Sequence, residues 1–217
     1  EIHRTRERMI VPVIEDFWPN GLVGQKCLDV ACNEGYFSFF LYERGATVKG
    51  IDAREFNINR AKAVQRVYGY DSSRLTFSTQ DFFFNQDPTN HYDLTLFLGL
   101  LYHLENPMGA IRILYRLTKR LCVIETQLTR QQEPIYSGWG QTSKTLELPA
   151  SMGLYEETDM DENNLAAHKS LSFIPNAVAV RKLLSSAGFS KVWQITPSPD
   201  SNQQYLNNDR GVFLALK

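Results

Sequence analysis

The stretch KCLDVACNEGYFSFFLYERGATVKGIDA, residues 26–53, constrains the fold of this chain more than any other. The apolar runs 26–31 and 47–52 have the length of strands, and segment 36–45 between them has the length of a helix that ends at a glycine. A strand, a helix and a second strand in this order predict a parallel βαβ unit with a right-handed crossover.

The alternation of strands and helices continues along the chain. The sequence predicts a helix over 54–69, strands over 74–81 and 92–100, a helix over 107–119, a strand over 120–126, a helix over 174–189 that opens with Pro175 in its first turn and closes at Gly188, and strands over 191–196 and 211–217. The predicted fold class is α/β: a Rossmann-like, doubly wound sheet of seven strands with helices on both faces. The sheet is mostly parallel, with an antiparallel C-terminal hairpin.

The domain organisation predicted from this pattern is a single domain, residues 1–217. Residues 1–20 are predicted to form an N-terminal helical cap, with the charges of HRTRER (3–8) on its solvated side. Residues 127–172 are too long for an ordinary connection and are predicted to form a lid or insertion over the active site.

Composition and charge narrow the function classes. Lys plus Arg number 23 against 24 for Asp plus Glu, so extended nucleic-acid binding is disfavoured, while a local tRNA contact stays open. The sequence contains no run of about 18 apolar residues, so no membrane partner is expected. The cysteines lack metal-ligand spacing, so no metal site is expected. The expected compartment is the cytoplasm.

The turn after the first predicted strand argues against a dinucleotide. A dinucleotide fingerprint places glycines where a helix N-terminus approaches a pyrophosphate, and the corresponding positions here are Ala31, Asn33 and Tyr36. Tyr36 in the third position would push the helix away from the strand. The turn therefore disfavours NAD as the cofactor.

Acidic residues near three successive strand ends favour a nucleoside without a pyrophosphate. Asp29 ends the first strand, Asp52 ends the second and Asp81 ends the third, followed by Phe82. A carboxylate at the second strand end can accept both hydroxyls of a ribose, and a polar group beside an aromatic ring suits adenine. Each acid alone is equally consistent with a polar loop, and Phe82 with a core position.

The motifs LDVACNEG (28–35), GIDA (50–53), TQDFF (79–83) and YDLTLFLGLLYHLENP (92–107) resemble those of the class I S-adenosylmethionine-dependent methyltransferases. The resemblance implies that the 29–35 turn contacts the methionine part of the cofactor and that Asp52 takes the ribose hydroxyls. It further implies that Asp81 and Phe82 flank the adenine and that Leu98 and Gly99 line the methyl-transfer face. The implied cofactor-binding residues are Asp29, Ala31, Cys32, Asn33, Gly35, Asp52, Ala53, Asp81, Phe82, Leu98 and Gly99.

A closer resemblance, carried by LGLLYHLENP, FIPNAVAVRKLLSSAGF and DRGVFLALK, is to the tRNA wobble-uridine carboxymethyltransferases. In that family a tyrosine matching Tyr102 and an arginine matching Arg210 hold the extra carboxylate of a carboxylated cofactor. The segment 135–164 has no counterpart there, and ordinary S-adenosylmethionine is the expected cofactor, with the carboxylated form as the alternative.

The sequence also offers candidate residues for catalysis and for binding of the methyl acceptor. His103 and Tyr102 are the candidate catalytic residues, because a histidine can take a proton from a hydroxyl or amine nucleophile. A structural role is the alternative for both residues, since a lone histidine at such a position is more often a structural hydrogen-bonding group. Tyr136 and Trp139 of the lid, with Arg210, are candidate substrate residues, and the two aromatic residues are as well explained by anchoring the loop.

The sequence therefore predicts a methyltransferase (EC 2.1.1.-) that moves a methyl group from S-adenosylmethionine to an O or N nucleophile of a small metabolite. Two alternatives stay open. One is a tRNA wobble-uridine methyl- or carboxymethyltransferase, and the other is a non-catalytic protein that binds the cofactor.

Overall fold

A computed structural model of the protein describes residues 2–84, 91–130, 135–139, 144–156 and 171–217. For residues 135–139 and 144–148 it describes the backbone alone.

The chain forms helices and strands in the order that the sequence predicts, with three additions: a 3₁₀ turn after the fourth strand, four strands between residues 135 and 175, and a short helix before the last strand. The helices are α1 (Ile2–Phe17), α2 (Tyr36–Glu43), α3 (Glu55–Val67), α4 (Pro107–Leu117), α5 (Ala177–Ala187) and α6 (Gln203–Leu206), and a 3₁₀ turn covers Leu101–His103. The strands are β1 (Lys26–Val30), β2 (Thr47–Asp52), β3 (Leu75–Thr79), β4 (Tyr92–Leu98), β5 (Thr118–Gln127), β6 (Ile135–Trp139), β7 (Lys144–Leu148), β8 (Met152–Glu156), β9 (Leu171–Pro175), β10 (Lys191–Gln194) and β11 (Arg210–Leu216).

The main sheet has seven strands in the order β10-β11-β5-β4-β1-β2-β3. The β1, β2, β3, β4 and β5 pairings are parallel, and β11 runs antiparallel to both β5 and β10. The predicted fold class, including the antiparallel C-terminal hairpin, is confirmed. Since the chain leaves β1 toward β2 and later returns to β4 on its other side, the carboxyl ends of β1 and β4 flank the switch point where ligands bind in such sheets.

Burial explains why the central strands are largely apolar. Every residue of β4 is buried, as expected for a parallel strand covered on both faces. One core cluster packs α1, α2 and α3 on one face, through residues such as Ile10, Leu41 and Ile58. The other packs α4 and α5 on the opposite face, through Leu114 and Val180. Helices therefore cover both faces, as predicted.

Two helix boundaries differ from the prediction for identifiable reasons. Pro175 is not in the first turn of α5 but ends β9, opposite Met152. Asn176 instead caps the helix, because its side-chain oxygen accepts a hydrogen bond from Ala179 N at 2.8 Å. The helix predicted to reach residue 119 ends at Leu117, where the buried Thr118 enters β5 and its hydroxyl bonds to Thr95 at 3.1 Å.

The segment 127–172, predicted as irregular, contains strands in its described parts. β6 pairs with β7 and β8 pairs with β9, each as an antiparallel hairpin. The Asn176 side chain donates hydrogen bonds to Pro149 O at 2.8 Å and Ser151 Oγ at 3.0 Å, which ties the start of β8 to α5. β9 lies against the 3₁₀ turn at the end of β4. A role for this segment as a lid stays a prediction.

The N-terminal helix α1 packs through Met9, Ile10 and Ile14, which are all buried in the core. Trp18 just after it is also buried. Among the described residues, none of the helices has the length and apolar character needed to cross a membrane.

Candidate active site

A cavity of about 870 Å³ lies at the carboxyl ends of β1, β2 and β4, under the N-terminal part of α1. This volume is in the upper part of the range found for small-molecule sites. Most of the site residues predicted from the sequence line it: Asp29, Ala31, Cys32, Asn33, Asp52, Ala53, Asp81, Phe82, Leu98, Gly99, Tyr102 and His103. Gly35 and Arg210 are not among its lining residues.

The turn after β1 has the backbone of a glycine turn although two of its residues are not glycine. Ala31 (φ 55°), Asn33 (φ 52°) and Gly35 (φ 88°) all adopt left-handed conformations. Asparagine tolerates this region better than most residues, whereas alanine is strained in it. A Cβ on Gly35 would come within 2.9 Å of the Phe77 ring, so this position requires glycine to let α2 approach the sheet.

Asp52 is held at the end of β2 by three donors. Its Oδ2 accepts a hydrogen bond from Asn33 N at 3.0 Å, and its Oδ1 accepts from Arg54 N at 2.9 Å and from Asn57 Nδ2 at 3.2 Å. These bonds join the β1 turn to the end of β2 and fix the carboxylate at the cavity wall. Each carboxylate oxygen has more than one acceptor direction, so the group can still accept ligand hydroxyls.

Asp29 lies in a different environment although it is close by. Its Oδ2 accepts a hydrogen bond from Ser38 Oγ at 2.7 Å, and the residue is only 3% exposed. Burial raises the pKa of Asp29 to about 7; the nearby charge of Asp52 adds to this, while the bonds from Ser38 oppose it. Asp29 therefore changes charge near neutral pH.

Asp81 and Phe82 follow β3, and their exposure differs. Asp81 is exposed, and its Oδ1 accepts a hydrogen bond from Phe83 N at 2.8 Å, which forms a tight turn. Phe82 is buried, with its ring centroid 5.4 Å from that of Phe97. Phe82 is thus a core residue that also lines the cavity, and its two predicted roles are compatible.

The end of β4 carries a cluster of charged residues that the sequence analysis did not assemble. Glu125 of β5 is fully buried; its Oε2 accepts a hydrogen bond from Arg6 Nη2 at 2.6 Å and its Oε1 from Arg210 Nη1 at 2.9 Å and Tyr205 OH at 2.8 Å. Arg6 lines the cavity beside Gly99. The expectation that the charges of 3–8 lie on the solvated side of the helix is wrong for Arg6, whose side chain is 13% exposed.

The helical spacing of the apolar residues in α1 indicates that Arg6 is buried. Ile2, Met9 and Ile10 recur at three and four residues from Arg6, so Arg6 lies on the apolar face of α1. His3 on the same helix also lines the cavity, and burial, followed by the charge of Arg6, lowers its pKa.

Arg210 lies behind Tyr102 rather than on the cavity wall. Its Nε donates to Gln204 Oε1 at 2.7 Å and its Nη2 to Tyr102 OH at 3.4 Å, in addition to the bond with Glu125. Burial lowers the pKa of Arg210, but the charges of Glu125 and Tyr102 and the hydrogen bonds to both residues together outweigh it, so the pKa is raised. Its role as a carboxylate clamp for a ligand stays a prediction.

Tyr102 and His103 lie side by side on the cavity wall, with ring centroids 4.1 Å apart. The two predicted lid residues, Tyr136 and Trp139, both belong to β6. Their side chains lie outside the part of the chain that the structure describes. Within the described residues, no group of three or more His, Cys, Asp or Glu side chains is arranged to hold a metal ion.

Comparison with curated proteins finds relatives over part of the chain. The ubiquinone biosynthesis O-methyltransferase of Pseudomonas savastanoi pv. phaseolicola is 34% identical over 99 residues, which cover 46% of this chain and 42% of that protein. The O-antigen chain terminator bifunctional methyltransferase/kinase WbdD of Escherichia coli is 27% identical over 131 residues, 59% of this chain and 18% of that protein. The chain thus spans less than half the length of these curated relatives.

Comparison with solved structures supports the fold. An S-adenosylmethionine-dependent methyltransferase from Mesorhizobium loti superposes with a TM-score of 0.67 at 17% identity, covering 95% of this chain and 96% of that one. Magnesium protoporphyrin IX methyltransferase from Synechocystis PCC 6803, crystallised with bound SAM, gives a TM-score of 0.64 at 19% identity, covering 100% of this chain and 81% of that one.

A family model described as a methyltransferase domain matches residues 2–194, which is most of the chain. Together with the seven-stranded sheet, this match agrees with the motifs at 28–35 and 50–53. The chain belongs to the methyltransferase domain family.

Proposed function

We propose that this protein is an S-adenosylmethionine-dependent methyltransferase that acts on an O or N nucleophile of a small molecule. The observation that carries the proposal is the Asp52 carboxylate, fixed by Asn33 N and Arg54 N at the cavity wall beside a left-handed turn. Family membership and the solved neighbour with bound SAM support the cofactor. The ubiquinone biosynthesis O-methyltransferase relative supports a small-molecule acceptor.

The residues of the cavity fit an adenosyl ligand. Asp52 takes the ribose hydroxyls, because a fixed carboxylate accepts two hydroxyl donors and would repel a phosphorylated ribose. Phe82 and Asp81 lie at the next strand end, where they flank the adenine. The cofactor, when bound, supplies a methyl group on a sulfonium that leaves readily. The protein's task is then alignment of the acceptor, which can account for most of the acceleration.

His103 is the proposed proton acceptor for the nucleophile. It lines the cavity next to Tyr102, just after β4. The resemblance to class I methyltransferases places the methyl-transfer face at this end of β4. Replacing His103 by Gln would lower turnover about 100-fold or more for a hydroxyl acceptor. The matched variant His3→Gln, which alters the other histidine of the cavity, would retain turnover. Equal turnover of His103→Gln and the unaltered protein would exclude the role.

The test of the proposed function is transfer of labelled methyl from S-adenosylmethionine to a fractionated cell extract. Label is expected in products of low molecular mass, and the Asp52→Ala variant should give less at a limiting cofactor concentration. Label confined to the RNA fraction, or absent from every fraction while the cofactor still binds, would contradict the proposal and would favour the RNA-modifying or the non-catalytic alternative respectively.

The wobble-uridine alternative draws support from one contact, the 3.4 Å approach of Arg210 Nη2 to Tyr102 OH. Against it, Arg6 and Arg8 of the basic N-terminal segment are paired with Glu125 and Asp200, which reduces the positive charge available for RNA. The mass of adenosyl ligand that co-purifies with the protein distinguishes the ordinary from the carboxylated cofactor. The ordinary mass is expected.

A further inference from the structure

The side chains of Tyr102 and His103 form one unit of the cavity wall. Both residues belong to the 3₁₀ turn Leu101–His103, and their ring centroids are 4.1 Å apart with an angle of 42° between the ring planes. Tyr102 is 7% exposed, whereas His103 is half-buried. Because a 3₁₀ turn of this length holds few backbone hydrogen bonds, the orientation of the two rings depends on contacts with other elements.

Arg210, the first residue of β11, contacts Tyr102 in two ways. Its Nη2 donates a hydrogen bond to Tyr102 OH at 3.4 Å, and its Cζ lies 5.3 Å from the centroid of the Tyr102 ring. The second distance is within the range of a cation–π contact. Because a guanidinium has donors only, the Tyr102 oxygen is the acceptor of the hydrogen bond. Arg210 therefore restrains both the hydroxyl and the ring.

The Arg210 side chain is itself fixed in place. Its Nη1 donates to Glu125 Oε1 at 2.9 Å and its Nε to Gln204 Oε1 at 2.7 Å, and the side chain is 8% exposed. Glu125 is fully buried in β5, the strand beside β11. All three nitrogens of the guanidinium thus have a partner, which makes it a rigid support for the Tyr102 ring.

The position of Arg210 behind the cavity wall limits how it can act on a ligand. Tyr102 and His103 line the cavity, whereas Arg210 does not. An influence of Arg210 on a bound ligand has to pass through the residues in front of it, and Tyr102 is the one to which it bonds directly. Since His103 packs against Tyr102, a displacement of the Tyr102 ring would displace the imidazole as well.

We propose that Arg210 is a positioning residue: it holds the Tyr102 ring, and through it the His103 imidazole, in the orientation needed for methyl transfer. The inference rests on the proposed function, in which His103 accepts the proton of the nucleophile. It gives Arg210 a role other than that of a ligand clamp. A misplacement of about 1 Å can lower a rate about 100-fold, so the contribution of such a residue is measurable.

The test combines turnover with the NMR signals of the histidine side chains. Turnover is the transfer of labelled methyl from S-adenosylmethionine to the low-mass fraction of a cell extract. We expect Arg210→Gln to lower turnover at saturating cofactor about 10- to 100-fold, while the affinity for S-adenosylhomocysteine, measured by calorimetry, is unchanged. In this variant the ring protons of His103 lose the ring-current shift that Tyr102 imposes. His103→Gln assigns the signals.

Tyr102→Phe separates the contact from the buried ion pair, because it removes the hydroxyl and retains the ring and the pair of Arg210 with Glu125. We expect smaller changes in the same direction, in turnover and in the His103 signals. The double variant Tyr102→Phe/Arg210→Gln should lose no more turnover than Arg210→Gln alone, since both residues act through one contact. Arg210→Lys, which keeps the charge without the planar fork of donors, should lie between Arg210→Gln and the unaltered protein.

The matched control is Arg130→Gln, which breaks the exposed pair of Arg130 with Asp209 next to the start of β11. It leaves turnover and the His103 signals unchanged. Independent, multiplying losses in the double variant would overturn the inference, as would unchanged His103 signals in Arg210→Gln. If Arg210→Gln does not fold, unchanged His103 signals in Tyr102→Phe overturn it.

Two further outcomes separate this inference from the other assignments. A fall in the affinity for S-adenosylhomocysteine in Arg210→Gln would overturn the positioning role and favour a ligand clamp. Absence of methyl transfer by the unaltered protein would refute the proposed function instead, whereas the histidine signals test the restraint on Tyr102 without any acceptor.

Discussion

The two sides of the cavity are built in different ways. On the acid side, at the ends of β1 and β2, the Asp52 carboxylate is held by Asn33, Arg54 and Asn57, all within 19 residues of it. On the arginine side, at the ends of β4 and β5, Glu125 is joined to Arg6 and Arg210, which are 119 and 85 residues away in the chain. A local sequence motif specifies the first side, whereas the second side exists only once the whole domain has folded.

This contrast predicts that a substitution on the arginine side lowers the free energy of unfolding the most. Glu125→Gln leaves Arg6 and Arg210 buried without a counter-charge, and we expect a loss of about 3–5 kcal/mol in the free energy of unfolding. Urea denaturation of the variant and the unaltered protein measures it. The control is Glu15→Gln, which breaks the exposed pair of Glu15 with Arg44 and should cost less than about 1 kcal/mol. Similar losses in the two variants would mean that the buried cluster contributes little.

A substitution on the acid side is expected to lower the affinity for the ligand more than it lowers the stability of the fold. Asp52→Ala removes the acceptor proposed for the ribose hydroxyls, and the affinity for S-adenosylhomocysteine should fall about 10- to 100-fold. Calorimetry checks this, with Asp71→Ala as the control, because Asp71 is an exposed turn residue outside the lining of the cavity. An affinity equal to that of the unaltered protein would refute the ribose assignment.

Asp29 makes the stability of the acid side depend on pH. Its pKa is raised to about 7 in the folded protein, so between about pH 4 and pH 7 the folded state binds more protons than the unfolded state. Stability from this group is therefore greatest at the acid end of that window and is lost as the pH rises through 7, with a slope of at most about 1.4 kcal/mol per pH unit. Asp29→Asn should remove this component.

The measurement for Asp29 is urea unfolding of the unaltered protein and Asp29→Asn at about pH 5, 6, 7 and 8. The difference between the two proteins isolates Asp29 from other titrating groups, such as His3. A difference that does not vary with pH would contradict a titration of Asp29 in this range.

The smallest effect is expected in the turn after β1. Ala31 has φ 55°, which glycine adopts without strain, so Ala31→Gly should stabilise the protein by up to about 1 kcal/mol after the greater flexibility of unfolded glycine is counted. The reverse change at Gly35, which faces the Phe77 ring, should destabilise it. Thermal unfolding of the two variants, Ala31→Gly and Gly35→Ala, measures both signs. Destabilisation by Ala31→Gly would show that the left-handed turn is not strained.

The contrast between the sides also explains how much the sequence predicted. The order of the central sheet, the turn at 29–35 and the carboxylate at Asp52 follow from hydrophobic periodicity and from residues close together in the chain. The antiparallel pairing of the last two strands was predicted from the sequence. The insertion of β11 beside β5 was not, because it depends on tertiary packing.

The arginine side was missed because its members are far apart in sequence. A charged residue on a helix is usually solvated, and only the apolar period of α1 distinguished Arg6 from Arg4 and Arg8. Glu125 was one acid in an apolar strand, and its two partners could not be assigned from spacing. Arg210 was singled out, yet its bonds to Glu125 and Gln204 depend on how β11 packs.

The most direct test of this account is a crystal structure of the protein with S-adenosylhomocysteine. The account predicts that the ribose hydroxyls lie about 3 Å from the Asp52 carboxylate, with the Arg6–Glu125 pair retained. A ribose bound elsewhere in the cavity, or outside it, would contradict the account.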